Sequence, residues 1–199
     1  MANKSIKGIY CLEGDWVIDM KKVATIEPAL ELLKKWPDLY VQYIHRDIGT
    51  RHELEHYLTK WTTNKYSDYP ILYLAFHGRE GNIEFGDKRK PENILYLKDL
   101  SELLSNKCKG RIIYFGSCST LGDHGKRIRK FLNETGALAV CGYRKEIDWL
   151  ISTAFDLMFF RQAQFNAFTV SGARAIEKKL NEKTRDLKNQ LGFHMVINE

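Results

Sequence analysis

Two short segments place reactive side chains in matching positions. Ile71-Leu72-Tyr73-Leu74-Ala75-Phe76-His77-Gly78 delivers an imidazole at the end of an apolar run, and Arg111-Ile112-Ile113-Tyr114-Phe115-Gly116-Ser117-Cys118-Ser119 delivers a thiol at the end of another. Each reads as a buried strand entering a glycine turn. A thiol is mostly protonated at neutral pH and becomes a strong nucleophile when a neighbouring imidazole takes its proton or stabilises the thiolate. The tetrahedral intermediate that follows needs backbone N–H donors for its oxyanion. In that chemistry Cys118 attacks, His77 handles protons, and the N–H groups of Gly78 and Cys118 are the candidate donors. Gly116 lets the chain turn sharply, and the small residues Ser117 and Ser119 leave room for a substrate.

A second motif competes. His52-Glu53-Leu54-Glu55-His56 matches the H-E-x-x-H pattern of zinc peptidases, in which two histidines one helical turn apart hold the metal. Here the apolar face of that helix is Leu54, Tyr57, Leu58 and Trp61, which turns His52 and His56 to the opposite, wet side. Thr50-Arg51-His52-Glu53 is also a capping box, which engages Glu53 at the helix start. A third ligand would have to come from a downstream helix, but the chain there enters a strand. No G-x-G-x-x-G or Walker A loop occurs, so nothing points to a nucleotide.

The elements that must position these residues alternate along the chain. Strands are expected near 6–12, 39–45, up to 77, up to 118 and 137–142, with helices near 26–35, 50–61, 97–105, 122–134, 147–164 and 170–188. A short hairpin arm is expected at 81–86 and a last edge strand at 193–197. This pattern predicts an α/β fold, a mostly parallel sheet with helices on both faces. In such sheets ligands bind at the C-terminal strand edge, where His77 and Cys118 would both lie.

Composition sets the setting. The 199 residues, 44% of them hydrophobic and 28% charged, fit one folded domain over residues 1–199 rather than a disordered chain. No secretory leader is visible at Met1-Ala2-Asn3-Lys4-Ser5. The apolar stretch Trp149–Phe160 is too short for a membrane span and contains Asp156, so it reads as a core helix. The four cysteines show no C-x-x-C or close pairing and read as reduced thiols of a cytoplasmic protein. Cys11 and Cys141 fall inside strands and Cys108 in a polar loop. The net charge of +6 is dispersed, with Lys126-Arg127-Ile128-Arg129-Lys130 as a wet helix face and Lys88-Arg89-Lys90 as a loop, so nucleic acid is not the expected partner. No cofactor and no metal is expected.

The order of strand, His77-Gly78, hairpin and helix, then strand and Cys118 resembles the caspase-like (clan CD) cysteine peptidases. Within them it is most similar to the CHAT group related to separase and gingipain. The resemblance spans roughly residues 6 to 180. It rests on Phe76-His77-Gly78, Ile83-Glu84-Phe85-Gly86-Asp87, Leu97-Lys98-Asp99-Leu100, Gly116-Ser117-Cys118-Ser119 and Gly136-Ala137-Leu138-Ala139-Val140. It implies a caspase-like three-layer sandwich and a Cys118–His77 dyad that hydrolyses peptide bonds in a protein or peptide substrate. It also implies that specificity comes from the ends of strands one and five. Glu13, Asp15, Glu146 and Asp148 there would favour a basic side chain through charge-assisted pairing, whereas Arg144 would favour an acidic one. Gly116-Ser117 before the cysteine departs from the caspase Q-A-C-x-G signature, which removes the ground for an aspartate preference. The lack of a sensor domain points to an activating partner protein or ligand. A catalytically silent adaptor of the same fold is the alternative reading.

Overall fold

In the computed structural model, residues 6–17, 19, 21–87, 89–122 and 125–199 are described. Five strands, β1 (Ile9–Glu13), β2 (Tyr43–Asp47), β3 (Ile71–Ala75), β7 (Ile112–Phe115) and β8 (Ala139–Tyr143), are parallel, and β9 (Phe193–Ile197) runs antiparallel along β8. The order across the sheet is β2-β1-β3-β7-β8-β9. A separate three-stranded sheet, β4 (His77–Arg79), β5 (Asn82–Glu84) and β6 (Ile94–Tyr96), is antiparallel. The helices are α1 (Glu27–Lys35), α2 (Arg51–Trp61), α3 (Leu97–Leu103), α4 (Lys126–Thr135), α5 (Trp149–Ala163) and α6 (Val170–Leu191).

The central strands read as unbroken apolar runs because both of their faces are covered. Side chains alternate between two cores at the strand period of two. Ile9, Cys11, Ile71, Tyr73, Ile112, Tyr114, Ala139 and Cys141 pack with α1, α5 and α6. Tyr10, Leu12, Leu72, Leu74, Ile113, Phe115 and Val140 pack with α2, α3 and α4. The result is a mostly parallel six-stranded sheet between two helical layers.

Several expectations shift in detail. The second strand lies later than the 39–45 reading, and Leu39 and Val41 instead pack into the α1 core from the preceding loop. The third strand ends at Ala75, and His77 opens the small sheet; the fourth ends at Phe115, and Cys118 lies in the turn beyond it. Residues 123 and 124 of the expected 122–134 helix fall outside the described residues, and α4 begins at Lys126. The capping box at Thr50 forms as read, with the Thr50 hydroxyl accepting from the Glu53 N–H and Glu53 accepting from the Thr50 N–H. Cys108 lies in a loop, as read, and is fully buried there. Within α5 the Trp149–Ile151 turn is partly exposed, and Phe155, Phe159 and Phe160 supply the core. Among the described residues no helix is long and apolar enough to cross a membrane.

Candidate active site

The pairing of β3 with β7 sets the site. Leu74 stands opposite Phe115, and His77 and Cys118 each lie three residues further along. Both residues therefore lie beyond the same, C-terminal edge of the sheet, past adjacent parallel strands. Both residues are half-buried.

Close backbone approach locks the two segments together. A methyl group added at Gly78 would lie 2.3 Å from Thr120 Oγ1, and 2.9 Å from both the Cys118 carbonyl oxygen and Ser117 Cβ. Glycine is needed at position 78 because the cysteine turn presses on it. Gly116 is needed for a similar reason, since a Cβ there would stand 2.4 Å from the ring of Tyr73. The turn is tied from several sides. Ser117 Oγ donates to Thr120 Oγ1 (2.7 Å), which donates to the Asn82 carbonyl (3.0 Å). The N–H groups of Ser119 and Leu121 donate to the carbonyls of Lys145 and Tyr143. Ser119, directly after the cysteine, has φ of 53°, a left-handed backbone that costs a non-glycine residue free energy. Ser117, read from the sequence as lining the substrate space, is instead 1% exposed and builds the turn.

His77 is oriented by the loop after β1. Its Nε2 lies 2.9 Å from the Trp16 carbonyl oxygen, and the Trp16 ring meets the imidazole edge-on at 5.4 Å between centroids. A carbonyl can only accept, so Nε2 carries the proton and Nδ1 is left as the basic nitrogen. The sequence carries no mark of Trp16 in this role, because a backbone carbonyl is common to every residue.

The other thiols differ from Cys118. Burial pushes Cys108 up to about 12, and burial followed by nearby carboxylates pushes Cys11 well above the ordinary thiol range; Cys141 is likewise raised by burial. All three are enclosed, which leaves Cys118 as the accessible thiol among the free cysteines.

Residues 6–197 match the model of a family of unknown function, DUF6642. The chain belongs to DUF6642. Among curated proteins no match is found.

In this DUF6642 chain a cleft of about 940 Å³ opens beside His77. Asp15, Asp19, Glu27, Asp47 and Asp87 line it together with Lys22. Of the acidic residues read as specificity candidates, Asp15 and Glu13 are on this cleft. Asp148 is instead the N-cap of α5, its Oδ1 accepting from the Ile151 N–H at 2.8 Å, and Glu146 is an exposed loop residue. Neither lines the cleft.

Glu13 and His45 were not singled out by the sequence as a pair. They meet because β1 and β2 run side by side, with Cys11 opposite His45 and Glu13 opposite Asp47. Glu13, Asp47 and His45 bring three potential ligand atoms within 4.8 Å of one another, the one group among the described residues that could hold a metal ion. Glu13, however, is already saturated. It accepts from the Trp16 indole, the Thr25 hydroxyl (2.7 Å), the Ile26 N–H (2.7 Å) and His45 Nε2 (2.6 Å), so an ion would have to displace these donors. Burial alone would raise Glu13, but these hydrogen bonds outweigh it and hold the carboxyl below its usual range. Burial would lower His45, and the Glu13 hydrogen bond with the charges of Glu13, Asp47 and Glu27 outweighs it and raises the imidazole. The zinc-type segment has no such gathering: His52 and His56 are exposed, and His56 stacks edge-on against Tyr57.

Proposed function

We propose that this protein is a cysteine endopeptidase of the caspase-like kind, acting through Cys118 and His77. The observation that carries the reading is the equal placement of these two residues, three positions beyond paired residues of adjacent parallel strands. The Trp16 hydrogen bond supports it, since it leaves His77 Nδ1 free to take the thiol proton.

In the proposed reaction the thiol proton of Cys118 passes to His77, and the thiolate adds to the peptide carbonyl carbon. The N–H groups of Gly78 and Cys118 receive the oxyanion. His77 returns its proton to the departing amine, leaving a thioester. Water then attacks the thioester with His77 as base, which releases the acid and restores the thiol. The carboxylates of the neighbouring cleft, Asp15, Asp47 and Glu27 among them, would select a basic side chain next to the scissile bond. Four free thiols are in keeping with a reducing, cytoplasmic compartment.

The test is a peptide-library screen of the wild type beside Cys118→Ala, with and without iodoacetamide or EDTA. Cleavage after lysine or arginine that is lost in Cys118→Ala and on alkylation, and kept in EDTA, is the expected result. Cleavage that survives Cys118→Ala would overturn the mechanism. Inertness towards every peptide, with no dependence of Cys118 reactivity on His77, would favour the adaptor.

A further inference from the structure

We propose that Glu13 is the positioning residue for His77: its carboxylate ties the loop after β1 at both ends and so fixes the Trp16 carbonyl that orients the imidazole. This inference rests on the reading of His77 and Cys118 as a working pair and names how that pair is held in register.

The loop runs from Gly14 to the start of α1. At its near end the Trp16 indole N–H donates to Glu13 Oε1. At its far end the Thr25 hydroxyl and the Ile26 N–H donate to Oε2 and Oε1, both at 2.7 Å. One side chain thus holds both ends of the loop. It is 2% exposed and stands where α1 begins, where a negative charge is favoured by the helix dipole. The fourth donor is His45, from β2, at 2.6 Å.

Trp16 then meets His77 in two ways, through its carbonyl oxygen and through its ring. Loss of the indole anchor would free both contacts. The imidazole would be able to rotate, and the orientation set by the Trp16 carbonyl would be lost. Displacing a catalytic group by about 1 Å is enough to cost roughly 100-fold in rate.

The chemistry at position 13 requires a carboxylate rather than any polar group. Four donors converge on it, and a carboxylate accepts at both oxygens. Glutamine has nearly the same shape but offers one acceptor and turns an NH₂ towards donors. The groups facing His45 are Glu13 on β1, Asp47 on its own strand (3.9 Å) and Glu27 on α1 (3.8 Å from Nδ1). All are acidic, so each favours the protonated form of the imidazole.

The experiment is the pH dependence of Cys118 alkylation by iodoacetamide, read by peptide mass spectrometry, in the wild type, Glu13→Gln, Trp16→Phe and His77→Ala. It needs no substrate. A thiol helped by an imidazole reacts well below the ordinary thiol pKa of about 8.5. The expected result is a low midpoint in the wild type, moved up towards the free-thiol value in all three variants. Where a peptide substrate is in hand, kcat should fall about 10- to 100-fold in Glu13→Gln with little change in KM. Trp16→Phe keeps an aromatic ring and the Trp16-position carbonyl but loses the indole N–H together with the five-membered ring, so it decides the matter if circular dichroism finds Glu13→Gln unfolded. A low midpoint that rises in His77→Ala but stays put in folded Trp16→Phe would overturn the role of Glu13 and leave the Cys–His pair standing. A wild-type midpoint at the free-thiol value, indifferent to His77→Ala, would overturn the pair itself and this inference with it.

Discussion

Two buried carboxylates in this protein face the same physical problem and solve it in opposite ways. Glu13 and Asp156 are 2% and 3% exposed. Glu13 sits at the sheet edge beside the cleft, with the His45 imidazole, raised by that contact, and backbone and side-chain donors. Asp156 sits on α5 within the core, where the hydroxyls of Tyr73, Tyr114 and Tyr143 donate to it, that of Tyr73 at 2.6 Å. Burial raises Asp156 to about 6, and the three tyrosine hydrogen bonds offset it only in part. At Glu13 the donors, His45 first among them, overcome burial and hold the group below its ordinary range. Neutral hydroxyls satisfy a carboxylate's lone pairs without balancing its charge, whereas an imidazolium does both.

The largest expected effect tests the charged half of the comparison. Glu13→Ala removes the partner of a buried imidazole and strands the Trp16, Thr25 and Ile26 donors. Breaking a buried ion pair from one side costs about 3–5 kcal/mol, and a loss of that size in urea unfolding at pH 6 is expected. A cost near that of an exposed pair, below about 1 kcal/mol, would mean that the carboxylate holds the loop less tightly than its four contacts imply.

The pH dependence of stability separates the two sites by sign. Asp156 rises from 3.8 to about 6 on folding, so its contribution is complete below 3.8 and is lost as pH climbs through 6. That amounts to about 3 kcal/mol, and Asp156→Asn should flatten the decline. Glu13 is lowered from 4.5, so its contribution is present above 4.5 and lost as pH falls through its folded value. His45 is raised from 6.5, so its contribution is present below 6.5 and lost as pH climbs through its folded value. The Glu13–His45 pair therefore stabilises most between about 4.5 and 6.5, where Asp156 is losing its contribution. Denaturant titrations from pH 3 to 8 should change slope in opposite senses, Glu13→Gln losing the rise in stability below pH 4.5 and Asp156→Asn losing the decline between about pH 4 and 6. Slopes of the same sense would dissolve the distinction between the two sites.

How much of this was legible in the sequence follows from the same contrast. The central strands announced themselves as apolar runs, and their order of appearance with helices between them was enough for a parallel sheet. His77 and Cys118 could be placed together because each ends such a run. Thr50 and Glu53 could be paired because a capping box is local, spanning three residues. Glu13 and His45 are 32 residues apart, and their meeting depends on β1 lying beside β2, which no local pattern states. Asp156 was visible as a charge within an apolar helix. Its partners were not, since a buried tyrosine in a strand looks like any other aromatic until the register sets Tyr73 opposite Tyr114. The acidic residues Glu146 and Asp148 were read as specificity candidates from charge and chain position alone. Asp148 is followed by the first turn of a helix, which is the signature of an N-cap and the role it takes.

Steric packing gives an uncharged standard for the cleft. Gly78→Ala forces a methyl against Thr120 Oγ1 and the Cys118 carbonyl, with no change in charge. Overpacking of this kind costs about 1–3 kcal/mol, and the cysteine turn should shift with it. The expected outcome is a smaller stability loss than in Glu13→Ala, together with slower alkylation of Cys118. If Gly78→Ala proved the more destabilising of the two, backbone packing rather than the buried ion pair would be the main support of this edge of the sheet.

Glu53 supplies the exposed reference for both buried carboxylates. It too accepts from several donors, the N–H groups of Gly49 and Thr50 at 3.0 Å and the Thr50 hydroxyl at 3.1 Å. Water can replace each of these bonds at little cost, because the side chain is at the surface. Glu53→Ala should therefore cost about 1 kcal/mol, the usual worth of a helix cap, and be measurable in the same urea titration. The number of donors is similar at Glu53 and Glu13, so the difference between their alanine variants isolates burial as the cause. Equal losses at the two positions would show that counting hydrogen bonds, without regard to solvent, was sufficient.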